Sequence, residues 1–171
     1  MMSKAFVPIV GPVVADTAYV NNRLVARDVA VTLPEVAPST VDVQAMGTMS
    51  LPVWQMLENM ELAITKIGVD MGLSKMVKPG SIPIEIRWAQ TVTDANGNTK
   101  NVGCKAFLRC LCSKLPSAEL EVGSASEAEL TYTVTRYQLV IDGEEAWLVD
   151  RLAGICRIGG TDYAADLQNM L

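Results

Sequence analysis

Apolar and polar side chains alternate with a period of two through much of the chain, most regularly between Ile82 and Val92. Ile82, Ile84, Ile86 and Trp88 fall on one side of that run, and Glu85 and Arg87 on the other. Such alternation predicts a half-buried β-strand. Asn96-Gly97 follows, a residue pair that accepts the positive φ of a tight type I′ turn, so a second strand is expected to fold back against the first. A two-residue loop there sets Ala95 opposite Asn98, Arg87 opposite Ala106 and Ile86 opposite Phe107. In that register one face collects Ile82, Ile84, Ile86, Trp88, Phe107 and Leu111. Ala106, Leu108 and the thiols of Cys104, Cys110 and Cys112 then occupy the other face.

The run from Leu130 to Asp150 predicts a second, longer hairpin. Thr, Tyr and Val dominate its first arm, and Asp142-Gly143 supplies another pair suited to a type I′ turn. A lone hairpin is marginal in water and its open edges template further pairing. Either the chain closes a sheet upon itself or the hairpin's edges are completed by other copies.

Elsewhere the pattern is less regular. Residues 1–20, with two prolines near the start and no clean period, are read as an N-terminal arm, and residues 21–171 as a single domain. Arg23 to Leu33 predicts a strand with Val25, Val29, Val31 and Leu33 on one face, ended by Pro34. Thr40 to Met46 is expected to be its hairpin mate. Leu51 to Leu57 has no defined type. Met60 to Ile67 is read as a strand stopped by Gly68, and Met71 to Lys78 as a short helix stopped by Pro79-Gly80. The Ser/Glu/Ala/Gly stretch from Pro116 to Ser126 is read as a mobile loop. Thr161 to Leu171 is read as a terminal helix with Thr161 as N-cap and Asp162 in its first turn. The fold class is therefore mainly β, an antiparallel sandwich or barrel-like subunit with one or two short helices.

Composition narrows the function more than it narrows the fold. A chain of 171 residues, half of them apolar, suffices for one domain that buries on the order of 70% of its unfolded surface. Its net charge of −5 opposes general nucleic-acid binding, which depends on clustered Lys and Arg. No apolar run approaches the ~20 residues of a membrane-spanning helix, and the broken stretch from Ala5 to Val14 gives little support to a signal peptide. The chain holds no histidine, which excludes Ser-His-Asp and Cys-His catalysis. Glu144 and Glu145 flank a turn, while Glu119, Glu121, Glu127 and Glu129 lie in or beside the polar connection, positions that solvation explains. Phosphate-loop, dinucleotide and calcium-loop spacings are missing. Catalytic, cofactor-binding and metal-ligating residues are therefore expected to be none.

The four cysteines admit three readings. Cys104, Cys110, Cys112 and Cys156 lack the Cys-x-x-Cys knuckles that wrap zinc. Cys110 and Cys112, two apart on a strand, point the same way about 7 Å apart, too far for direct bridging. Buried thiols serving as small apolar side chains are the simplest reading. A disulfide to Cys156 or between subunits is the third, suited to a particle that leaves a reducing compartment.

At Thr32-Leu33-Pro34-Glu35-Val36, at Gly47-Thr48-Met49, and from Tyr137 to Glu145 the sequence resembles the major tail tube proteins of contractile-tailed bacteriophages. The order continues through Val149-Asp150, Gly154, Ile158-Gly159-Gly160, Asp162 and Leu171, so the resemblance spans residues 20–171. It implies a subunit of hexameric rings stacked into a hollow tube, whose wall is one ring-wide β-barrel. The implied partners are further copies of the chain, a contractile sheath, a tape-measure protein, and baseplate and tail-terminator proteins, with DNA passing through unbound. The implied location is the virion tail, after synthesis and assembly in the bacterial host cytoplasm. A tail-like bacteriocin or secretion machine would use the same subunit. A monomeric sandwich and a barrel holding a small apolar ligand are the competing readings, and an enzyme ranks below them.

Overall fold

The computed structural model describes residues 8–171. Thirteen strands and two short helices follow in order: β1 (Ile9–Val20), β2 (Arg23–Arg27), β3 (Ala30–Thr32), β4 (Pro38–Gln44), β5 (Thr48–Leu57), β6 (Met60–Ile67), α1 (Gly72–Met76), β7 (Ser81–Thr93), β8 (Thr99–Cys112), β9 (Ser117–Glu119), β10 (Glu127–Ile141), β11 (Glu144–Asp150), β12 (Ile155–Ile158), β13 (Thr161–Asp162) and α2 (Ala165–Met170). Eleven strands form one antiparallel sheet whose main path runs β13-β12-β11-β10-β8-β7-β1-β2, with β6 and β9 also on β10 and β3 on β6. β4 and β5 make a separate two-stranded sheet.

The β7–β8 pair forms one residue out of the expected register. Ile82 faces Cys110, Ile84 faces Leu108, Ile86 faces Ala106 and Trp88 faces Cys104. The connection explains the slip. Gly97 N donates to Asp94 O at 3.1 Å and Asp94 N donates to Asn98 O at 3.0 Å, while only Gly97 (φ +80°) lies in the left-handed region. The loop therefore spans Ala95, Asn96 and Gly97, a turn closed by a glycine bulge rather than a two-residue I′ turn. The Asp94 carboxylate helps fix this shape by accepting from Asn96 N and Asn98 N. Because side chains alternate, one residue of slip exchanges the faces. Cys104, Ala106, Leu108 and Cys110 join the isoleucines in the core, and Leu111 is left 40% exposed.

The β10–β11 turn differs from it: Asp142 (φ +51°) and Gly143 (φ +81°) both lie in the left-handed region, and Ile141 directly faces Glu144. Along β10 the buried positions run Ala128, Leu130, Tyr132, Val134, then Tyr137 and Leu139. This change of parity is absorbed by a register shift between Val134 and Arg136 in the ladder with β8. Thr135 is the extra residue, and its hydroxyl donates to Arg109 O.

Several sequence-based expectations give way. Ile9–Val20 belongs to the sheet rather than to a detached arm: β1 pairs with β7 along its length, and Ala18 and Val20 are buried. Pro12 is accommodated beside two register shifts in that ladder; residues 1–7 lie outside the described residues. The strand expected over Arg23–Leu33 is broken at Asp28 (φ +51°). Asp28 N still donates to Asp16 O, after which the chain leaves β1 and pairs with β6 as β3. Thr40–Met46 is mated not with that strand but with the segment of undefined type, now β5. Within the connection read as a loop, Ser117–Glu119 pairs with β10. The terminal helix starts at Ala165, because Thr161 and Asp162 pair with β12 instead. Asp162 Oδ1 accepts from Cys156 N and Ala164 N.

The core is built from residues of β1, β2, β6, β7, β8, β10 and α1, with Val149 of β11 and Cys156 of β12. Met60, Leu62 and Ile64 project into it from β6, as the alternation over residues 60–67 predicts. Tyr132, 1% exposed, donates its hydroxyl to Met76 O at 2.7 Å, tying α1 to the centre of the sheet. Lys66, also buried, runs out to an ion pair with Asp70 at 2.9 Å.

Candidate assembly surface

A strand's unpaired N–H and C=O groups are a site in their own right, since they bind another backbone. The sequence places such groups along the β10–β11 hairpin. The structure does not, because β10 is the most enclosed strand of the sheet. One of its sides is occupied by β9 and β8, the other by β6 and then β11. The length of β10 allows it to serve four neighbours at once.

Open ladder positions beside the β7–β8 turn occur on β1 and β8, in addition to the edges of the short strands β2, β3, β9 and β13 and of the separate β4–β5 pair. β2 covers β1 only over Thr17–Val20, so among the described residues Ile9–Ala15 pairs on its β7 side alone. β10 covers β8 only from Cys104 onward, and Asp142 N reaches Gly103 O, so Thr99–Val102 pairs only with β7. β1, β7 and β8 thus extend as a three-stranded tongue with an open margin on each side. Ile9, Val10, Val13 and Val14 on one margin are 55–63% exposed. Pro12 and the register shifts of β1 interrupt that margin, a device that discourages indiscriminate pairing.

Some charged side chains of the sheet are matched to each other. Arg157 donates to both oxygens of Glu145, at 2.6 and 3.0 Å, and Gln138 Nε2 donates to Oε2 at 2.7 Å. The guanidinium beside it holds the Glu145 carboxyl below the usual range. Arg87 pairs with the mostly buried Glu85 and lies over the Tyr19 ring, 4.3 Å from its centroid. Arg136 and Asp150 stand 3.8 Å apart. The Glu145–Arg157, Glu145–Gln138, Arg136–Asp150 and Arg87–Tyr19 contacts join neighbouring strands, while Arg87–Glu85 lies within β7.

Cys104, Cys110, Cys112 and Cys156 are all free thiols in the structure. Cys104, Cys110 and Cys156 are buried; the half-buried Cys112 donates to Lys114 O. Burial pushes the Cys110 thiol up to about 12, and burial together with nearby Asp142 and Asp162 raises those of Cys104 and Cys156. Raised thiol pKa values suppress the thiolate and with it nucleophilic chemistry. Among the described residues no three His, Cys, Asp or Glu side chains converge as a metal site. A surface groove of about 530 Å³ lies between β5, the β11–β12 loop and α2. It has no set of converging ionisable groups suited to catalysis; Asp150 and Arg151 are the charged residues along it.

Comparison with known proteins agrees with this emphasis on backbone and surface. The family model for phage tail tube protein FII matches residues 15–171. No curated protein matches the sequence. Among solved structures, the fold is similar to a chain of the PVC sheath-tube complex, an extracellular contractile injection system in its extended state. That similarity has a TM-score of 0.52 at 13% identity over 75% of this chain and 90% of the other. A chain of the PVC sheath/tube terminator is also similar, with a TM-score of 0.52 at 12% identity over 80% of this chain and 99% of the other.

Proposed function

The chain belongs to the phage tail tube protein FII family and has the structural role of a tail tube subunit; from that premise we propose that its copies close into hexameric rings stacked as the inner tube of a contractile tail. The observation that carries this reading is the pair of open ladder margins at Ile9–Ala15 and Thr99–Val102. They are different surfaces on opposite sides of one tongue. A contact between unlike surfaces is heterologous, and heterologous contacts generate rings when the rotation closes. Closure also satisfies backbone groups that would otherwise remain an aggregation hazard.

In the finished tail the tube carries the genome, is clothed by a sheath protein, surrounds a tape-measure protein and meets baseplate and terminator proteins at its ends. The net charge of −5 supports a conduit rather than a binder, since like charge keeps a polyanion from adhering to the wall. The subunit needs no reactive centre for this work. A small-ligand barrel has less support because the interior is filled by the fully buried Tyr132, Tyr137, Met60, Leu62, Ile64 and Ile84. Sedimentation and negative-stain microscopy of the purified chain across a range of concentrations test the reading. Rings or tubes are expected at high concentration; a monomer under every condition would overturn it.

A further inference from the structure

The extra residue at Thr135 places two like charges side by side. In an unbroken ladder Thr135 would face Arg109 and Arg136 would face Leu108, because Val134 faces Cys110. The register shift instead sets Arg136 directly opposite Arg109 and turns Tyr137 into the core. A bulge re-aims the side chain that follows it, and here it brings two arginines to one face of the sheet. Asp150 stands on the other side of Arg136. The row across β8, β10 and β11 therefore reads Arg109, Arg136, Asp150.

Like charges directly opposite each other on a ladder, with Cβ atoms about 4.5–5.5 Å apart, destabilise the pair. Asp150 offsets this only in part. It stands 3.8 Å from Arg136, and its Oδ1 already accepts from Leu152 N and Ala153 N. Among the described residues Arg109 makes no ion pair. The two arginines also form the wall shared by two cavities. One, of about 290 Å³, is lined by both of them with Tyr19, Asn21, Asn22 and Glu85. The other, of about 280 Å³, is lined by both with Thr135 and Asp150. Glu85 is the one acid of the first cavity, and its carboxylate is held by Arg87, which lines neither. Tyr19, Asn21 and Asn22 add side chains that can donate hydrogen bonds without adding charge.

We propose that Arg109 and Arg136 form a binding site for a phosphate dianion, free or as a monoester. Each guanidinium presents a planar fork of N–H donors. Two forks carried by different strands call for a tetrahedral group, which offers oxygens to both; a planar carboxylate offers its oxygen pair to one. Two positive charges likewise match a dianion better than a singly charged diester. A bound dianion relieves the repulsion between the arginines, so binding stabilises the fold. The site stands apart from the tube reading, because every residue of it comes from one subunit.

The test follows thermal melts of the purified full-length chain, kept dilute, against inorganic phosphate, dimethyl phosphate and acetate, with ionic strength held constant by sodium chloride. Inorganic phosphate should raise the melting temperature saturably and more strongly than either singly charged anion. Arg109→Gln and Arg136→Gln should each weaken phosphate binding by at least about tenfold, as loss of a charge-assisted hydrogen-bonding partner implies. Lys105→Gln removes an exposed cation of β8 that lines neither cavity, and should leave binding unchanged. Because Arg109→Gln also removes a repulsion, its melting temperature without phosphate should not fall below that of the unmodified chain. Equal effects of the three anions, undiminished binding in both arginine variants, or an equal loss in Lys105→Gln would each overturn the site. A phosphate-free melting temperature lowered by Arg109→Gln would overturn the like-charge argument on which the site rests.

Discussion

The two hairpin turns look alike in sequence yet should respond differently to the same change. At the β10–β11 turn both Asp142 and Gly143 hold positive φ, a region that costs a β-branched residue about 1–2 kcal/mol. Asp142→Val with Gly143→Val should therefore destabilise the subunit by about 2–4 kcal/mol, a large part of the 5–15 kcal/mol typical of a domain. At the β7–β8 turn only Gly97 is left-handed while Asn96 is not. Asn96→Val should cost below about 1 kcal/mol, mostly through lost turn propensity. Urea unfolding of the unassembled subunit, followed by fluorescence, measures both. Trp147 is a local reporter for the first hairpin because its ring meets Tyr137 edge-on at 6.0 Å. Equal effects of Asp142→Val and Asn96→Val would refute the distinction between a type I′ turn and a glycine-bulge loop, and with it the explanation of the β7–β8 register.

Further consequences follow from the core. Tyr132→Phe removes the donor to Met76 O and leaves a buried carbonyl unpaired, so it should lower stability by about 1–2 kcal/mol at unchanged denaturant dependence. Burial raises the Cys110 thiol from 9.0 to about 12 and the Tyr137 hydroxyl from 10.0 to about 12. Each folded value lies above its unfolded one, so the associated stability is complete below about pH 9 and is lost as pH rises toward 12. Thermal melts of the unassembled subunit from pH 8 upward should therefore fall, and Cys110→Ala should lower the melting temperature at pH 8 but flatten the decline. A slope identical in that variant would show that the thiol makes no contribution to it.

What was legible in the sequence was legible where one local cause acted alone. The period of two over Ile82–Val92 and Met60–Ile67 locates β7 and β6, and Pro79-Gly80 marks the end of α1, because alternation and chain stops are properties of a few adjacent residues. The β7–β8 register required knowing whether Asn96 or only Gly97 turns left-handed, which the Asp94 carboxylate decides. One residue of error there moved Cys104 and Cys110 from a second face into the core. The break at Asp28 and the exchange of partners by β4 depend on contacts far apart in sequence, Asp16 for one and Leu57 for the other. The surface most relevant to function was misplaced for the same reason. β10 looked like a strand in need of neighbours, but β6, β8, β9 and β11 supply them from within the chain, and the open margins fall on β1 and β8. The opening segment was masked as a strand by its prolines, although an edge position tolerates Pro12.

The central claim is that unpaired backbone on this subunit is completed by other copies of itself. A cryo-electron microscopy reconstruction of particles assembled from the purified chain tests it most directly. The account expects rings in which the main chain at Ile9–Ala15 and Thr99–Val102 is hydrogen-bonded to neighbouring subunits. Assembled particles in which both margins face solvent would contradict it.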